Sequence, residues 1–359
     1  MKLKFLLLVV GITCMSMSFI QAQKTTSLTG SYKTTEAKPI DVLLLLALPA
    51  SGKSEARRYL ANLSPKDCES QFGIKDTVQF DDFPYVHMMR RISEELMARE
   101  HEGMFFSSPV MSFREPKDWG TLIQLVNEDY SDLIAGNKPS PVSAAEWLFD
   151  RLDAARTKVG AIPALGNLPK SLRNDLAASL EKEATDLLNN KIATIDMGAT
   201  NKTVVIEFAR GGAADSPMPL PEPYGYKYSL AQLSPEILDK ASILYIWVSP
   251  EEARRKNEAR TDPNDPGSIL NHGVPLAVMY NDYGCDDISW MLENSNKANT
   301  AHVESHGNVY NLPVGRFDNR TDKTSFLRNP PEQWSKGNIA SLQDAMKTAF
   351  NELSQGSIG

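Results

Sequence analysis

The chain has 359 residues, 42% hydrophobic and 23% charged, with a net charge of −7. These are the proportions of a globular protein long enough for one elaborated α/β domain or two smaller ones. The acidic balance argues against a broad nucleic-acid-binding face, although a local basic pocket stays open to it.

The chain begins MKLKFLLLVVGITCMSMSFIQAQ, in which two lysines precede an apolar stretch and Ile20-Gln21-Ala22 offers a small-residue cleavage point. Residues 1–22 therefore read as a secretory signal, with an exported or periplasmic location and no stable membrane span after removal. Residues 23–40 are polar and read as a flexible leader, so the fold is expected to begin at Asp41. Cys68 and Cys285 would remain after cleavage, and nothing in their placement demands a disulfide.

Residues 41–60, DVLLLLALPASGKSEARRYL, carry the chemistry. The apolar run 42–48 predicts a parallel strand covered on both faces. It breaks at Pro49 into a small-residue turn, and helix-forming residues follow from Lys53. Strand, turn, Gly-Lys-Ser and helix are the parts of a phosphate-binding loop. The segment Ala50, Ser51, Gly52, Lys53, Ser54 and Glu55 would surround phosphates, Lys53 would meet the outer ones, and the Ser54 hydroxyl would reach Mg²⁺. The full pattern has glycine at position 47, where this chain has Ala47. The competing reading is a plain strand–turn–helix with an incidental lysine.

A second short strand is expected at 77–80, ending in Asp81-Asp82-Phe83-Pro84. Carboxylates at the carboxyl end of a parallel strand point into the ligand crevice of open α/β sheets, so Asp81 or Asp82 can orient or deprotonate an acceptor. A helix cap is the alternative for Asp82. Helical spacing then runs over 85–97, 119–133, 143–159 and 168–190, with Ser143-Ala144-Ala145-Glu146 as a capping box. The excursion 85–200 is expected to be a helical insertion over the crevice. On its first helix, Arg90 and Arg91 either reach a substrate phosphate or belong to a solvated face.

A third strand is expected at 203–208, where Glu207 needs a partner in an apolar run; Mg²⁺, Lys53 and Arg210 are the candidates. The fourth is expected at 242–248, followed by a helix opened by Ser249-Pro250 and carrying Arg254, Arg255 and Arg260. Those arginines can neutralise charge during phosphoryl transfer, or simply balance Glu251, Glu252 and Glu258. Segment 261–308 reads as loop and helix with scattered polar residues (His272, Asp282, Asp286, Asp287, His302, His306) but no metal-ligand spacing. The whole of 249–308 is expected to be a lid-type insertion. A fifth strand is expected at 309–314, then a loop at 318–324 where a nucleotide base can rest, and a closing amphipathic helix over 339–353.

Together, 41–60, 77–87, 203–212, 242–260 and 309–324 resemble the P-loop nucleoside and nucleotide kinases, in under half of the chain. The resemblance implies an α/β fold with a three-layer, five-stranded parallel sheet of order 2-3-1-4-5. It also implies ATP and Mg²⁺ as cofactors. The expected activity is phosphoryl transfer to a small-molecule acceptor such as a nucleoside, nucleotide or other metabolite, with no nucleic acid as partner. Lys53, Asp81, Asp82, Arg254, Arg255 and Arg260 would be catalytic, and Ser54 and Glu207 would support the metal. Two rivals stand beside it. One is a GTP-binding NTPase, since Asn319-Arg320-Thr321-Asp322 resembles a guanine-reading Asn-Lys-x-Asp; the other is an exported protein that keeps the fold and has lost the chemistry. Use of ATP would favour the cytoplasm over an exported compartment.

Overall fold

A computed structural model describes residues 37–260 and 273–357, with only the backbone of Arg260. The signal-like segment 1–22, the leader up to residue 36, the Arg260 side chain and His272 lie outside the described residues. The leader's last four residues belong to the fold: Ile40 is buried and donates to Gly73 O at 2.9 Å, and Ala37 donates to Ser70 O at 3.3 Å. The fold therefore starts no later than Ala37, ahead of the expected Asp41.

In chain order the elements are β1 (Val42–Leu46), α1 (Lys53–Ala61), α2 (Pro65–Phe72), β2 (Asp76–Asp81) and α3 (Phe83–Met97). Next come α4 (Asp118–Ala135), α5 (Ala144–Lys158), α6 (Lys170–Met197), β3 (Lys202–Phe208), α7 (Gly225–Ala231) and α8 (Pro235–Leu238). The chain closes with β4 (Ala241–Trp247), α9 (Pro250–Arg260), α10 (Leu276–Asn281), α11 (Ile288–Glu293), β5 (Thr300–Ser305), β6 (Asn308–Asp318) and α12 (Lys336–Gly356).

The strands form one six-stranded sheet of order β2-β3-β1-β4-β6-β5. This corrects the expected five strands and their order. The strand expected fifth is β6, parallel to β4, and the unexpected β5 pairs antiparallel with β6 at the edge. β5 escapes a reading by apolar runs because its sequence, TAHVES, carries His302 and Glu304, and two of its four buried residues, Thr300 and Ser305, are polar.

All five residues of β1 are buried, because the central strand is covered on both faces. Alternation assigns the faces. Val42, Leu44, Leu46, Val204, Ile206 and Ile243 pack with Ile123 and Tyr130 of α4 and with Tyr226 and Leu230 of α7. Leu43, Leu45, Val205, Leu244 and Ile246 pack with α1, α2 and α12 through Ala56, Phe72, Met346 and Phe350. The register sets Leu45 beside Glu207 and Glu207 beside Asp81, all three on the α1 face.

Helices α3–α6 build a second core around Met88, Met89, Ile92, Leu122, Leu148, Phe149 and Leu180, which also takes in Leu48 from the turn after β1. A buried carboxylate ties all four together: Asp129 on α4 accepts from Tyr85 at 2.5 Å, Arg151 at 2.8 Å and Lys191 at 2.6 Å. Those donors come from α3, α5 and α6. The expected capping box at α5 forms only in part. Ser143 Oγ accepts from Glu146 N–H at 3.2 Å, but Glu146 pairs with Arg173, and Glu181 of α6 instead accepts the amides of Ala144 and Ala145.

Candidate functional site

β1 ends at Leu46, and the turn into α1 places two residues in left-handed backbone, Ala50 at φ 57° and Gly52 at φ 105°. Left-handed residues in a tight turn bring successive N–H groups to one concave side. α1 has no side-chain cap, so its amino end keeps its capacity for an anion. Glycine at 52 is required twice over. Its φ disfavours a side chain, and a Cβ there would lie 2.5 Å from Thr324 Oγ1 and 2.7 Å from Asn319 Nδ2. Ala47 is fully buried in the same cluster as Leu45 and Ala56, so a methyl group fills the position where the full pattern has glycine. Ser51 is buried, with no hydrogen-bond partner for Oγ among the described residues, whereas Ser54 is exposed.

Lys53 Nζ donates to Ala47 O at 3.2 Å and lies 4.0 Å from Glu207 Oε1. Arg57 Nη1 lies 3.1 Å from Glu207 Oε2, although that oxygen receives no aligned hydrogen bond among the described residues. The partners of Glu207 are thus Lys53 and Arg57, not Arg210. Arg57 was not among the expected site residues. Its spacing of four from Lys53 on a helix was the signal available.

Asp81 stands directly opposite Glu207. Burial, and then the charges of Glu207 and Asp82, push its carboxyl up to about 7, against the Phe83 amide and Lys53, which pull it down. Such a group exchanges a proton near neutrality, as a general base must. Its neighbour Asp82 points elsewhere. Asp82 Oδ2 accepts from Arg210 Nη1 at 2.6 Å, and both side chains are buried. Arg210 also donates to Ser229 Oγ at 3.1 Å and Trp119 O at 3.2 Å, with its guanidinium 5.0 Å from the Trp119 ring centroid. Asp82 is spent on joining α3 to the end of β3, whereas Asp81 lies beside Glu207.

The other expected residues lie apart. Arg254 pairs with Glu251 at 3.2 Å and lies over the Tyr280 ring at 4.6 Å. Arg255 pairs with Glu252 at 2.7 Å and Asp322 at 3.3 Å. Neither forms an ion pair with Asp81 or Glu207 among the described residues. Glu55 Oε1 accepts from Arg328 at 2.7 Å. Arg91 pairs with Glu94, Glu95 and Glu183, while Arg90 donates to Pro109 O at 2.8 Å and lies over the Phe106 ring.

The loop after β6 closes over the turn from above. Asn319, fully buried, donates to Ser51 O at 2.7 Å and Thr324 Oγ1 at 2.8 Å. Asp322 would read a guanine in the pattern expected at 319–322, but Lys256 at 2.9 Å and Ser325 Oγ at 2.8 Å occupy it. Burial pushes its carboxyl up, and those partners outweigh it and hold it down to about 2.

Comparison with protein families, curated proteins and solved structures gives no match.

Among the described residues no group of three or more His, Cys, Asp or Glu side chains converges as a ready metal site. The acidic residues between α10 and α11 are engaged separately. Asp287 accepts the amides of Tyr226 at 2.6 Å and Lys227 at 3.2 Å, and Asp286 accepts from Tyr245 at 2.7 Å, its carboxyl pushed up to about 6 by burial. A depression of about 310 Å³ opens at the amino ends of the strands, between Asp41, Lys240 and Asn311, and contains none of the residues around Lys53.

Proposed function

We propose that this protein is a P-loop kinase that transfers the terminal phosphoryl group of ATP to a small hydroxyl- or phosphate-bearing acceptor. The observation that carries the reading is the convergence of Lys53 and Asp81 on Glu207 at the carboxyl ends of β1, β2 and β3, beside a turn with two left-handed residues. The turn amides and Lys53 hold the donor phosphates. Asp81 takes the proton of the acceptor hydroxyl, and Glu207 keeps the cations in place. The exposed Ser54 hydroxyl and the Glu207 carboxylate, whose Oε1 stands 4.0 Å from Lys53 while Oε2 faces Arg57, are hard donors of the kind Mg²⁺ takes, and these two residues would hold the ion. Bound there, it supplies charge neutralisation on the phosphates. ATP is favoured over GTP because Asp322 is already paired with Lys256.

The test uses the full chain. Calorimetry with ATP and Mg²⁺ is compared for the wild type and Lys53→Ala, followed by ATP turnover across a panel of nucleosides, nucleotides and sugars. The expected result is ATP binding that drops at least about tenfold in the variant, the cost of one charge-assisted contact. Negligible nucleotide affinity in both proteins ends the reading.

A further inference from the structure

Two cations share Glu207: Lys53, which meets the donor phosphates, and Arg57. Arg57 follows Lys53 by four positions in α1, one turn along the same face. Its side chain is 34% exposed and its Nη1 is 3.1 Å from Glu207 Oε2. Glu207 stands between Leu45 of β1 and Asp81 of β2 in the register, so the carboxylate that Arg57 shares with Lys53 lies next to Asp81. Of the arginines expected for catalysis, Arg254 and Arg255 are tied to Glu251, Glu252 and Asp322.

We propose that Arg57, rather than Arg254 or Arg255, is the catalytic arginine, and that Glu207 holds its guanidinium beside Lys53 ready for the phosphoryl group in transfer. This rests on the kinase reading. In the step, the acceptor hydroxyl oxygen bonds to the terminal phosphorus of ATP while the bond to the bridging oxygen breaks. The bridging oxygen keeps the electron pair and leaves as ADP, and the hydroxyl proton goes to the Asp81 carboxylate. Arg57 gives and takes no proton. Its fixed donors and permanent charge offset the negative charge on the moving group and on the departing oxygen. An arginine whose only task was to neutralise Glu207 would leave that charge untouched.

The experiment needs no acceptor. ADP, Mg²⁺ and aluminium fluoride together imitate the flattened phosphoryl group, and calorimetry on the full chain reads ADP affinity with and without the fluoride. The wild type is expected to bind ADP at least about 100-fold more tightly when aluminium fluoride is present, as enzymes do with transition-state mimics. Arg57→Ala should bind ADP alone within about threefold of wild type and lose most of the tightening, since one such arginine supplies a large share of that stabilisation. Arg57→Lys should keep part of it, and methylguanidine should restore part of it to Arg57→Ala. Arg254→Ala and Arg255→Ala should behave as wild type. Equal tightening in wild type and Arg57→Ala overturns the proposal, as does a wild type that binds ADP without tightening, or a loss confined to Arg254→Ala or Arg255→Ala. A wild type that binds no ADP removes the kinase reading itself.

Discussion

Replacing Asp81 with Asn tests the electrostatics of the site without any ligand. In the folded protein the Asp81 carboxyl is pushed up to about 7, first by burial and then by Glu207 and Asp82, from the ordinary 3.8 it keeps in the unfolded chain. Below pH ~4 both states hold the proton, and the group has no effect on stability. As pH rises toward 7 the unfolded chain releases the proton while the folded protein keeps it, so stability falls across that window; above it the penalty is constant. Each unit costs up to ~1.4 kcal/mol, and partial exposure reduces the total between pH 5 and pH 8 to roughly 2 kcal/mol. Asn carries no proton to lose. We predict that the stability difference between Asp81→Asn and wild type grows by about 2 kcal/mol from pH 5 to pH 8, or ~3–5 °C in Tm. Urea titrations and thermal melts at both pH values read it directly. Parallel pH profiles for the two proteins refute the arrangement of Asp81 against Glu207.

Arg210→Met strands the buried Asp82 carboxylate and should cost about 3–5 kcal/mol in urea unfolding, while adding Asp82→Asn should restore a large part of it. Gly52→Ala forces a Cβ to within 2.5 Å of Thr324 Oγ1 in left-handed backbone, with an expected loss of at least ~1 kcal/mol in thermal unfolding. Lys191→Met leaves Asp129 with Arg151 as its cation and removes the cation 2.6 Å from Asp132, and should destabilise by about 3 kcal/mol, with faster amide exchange along α6. Asn319→Ala removes the donor to Ser51 O and should cost about 1–3 kcal/mol, measured by denaturant titration.

Local patterns wrote most of the architecture into the sequence. The apolar run of β1 has one outcome, a strand covered on both faces, and the helices of the insertion follow from apolar spacings of three and four. What was not legible depends on partners far along the chain. Asp81 and Asp82 are adjacent and chemically alike, and only Arg210, 128 positions from Asp82, separates their roles. Arg254, Arg255 and Arg57 all look like exposed helix cations, yet their carboxylates sort them: Glu251 and Glu252 lie one turn away, and Glu207 lies on a strand. Asn319 resembled part of a base-reading motif, but its amide is spent on Ser51, a contact spanning 268 positions.

The place of β1 in the sheet also has a consequence for biosynthesis. Val42 pairs with Val204 on one side and Ala241 on the other, so the first strand made waits longest for a neighbour. At ~5–20 residues per second a ribosome needs roughly 8–30 s to supply the first of those partners. Throughout that interval Leu43, Leu44, Leu45 and Leu46 emerge with neither backbone nor side chains satisfied, a segment suited to capture by a chaperone and to misassociation when one is lacking.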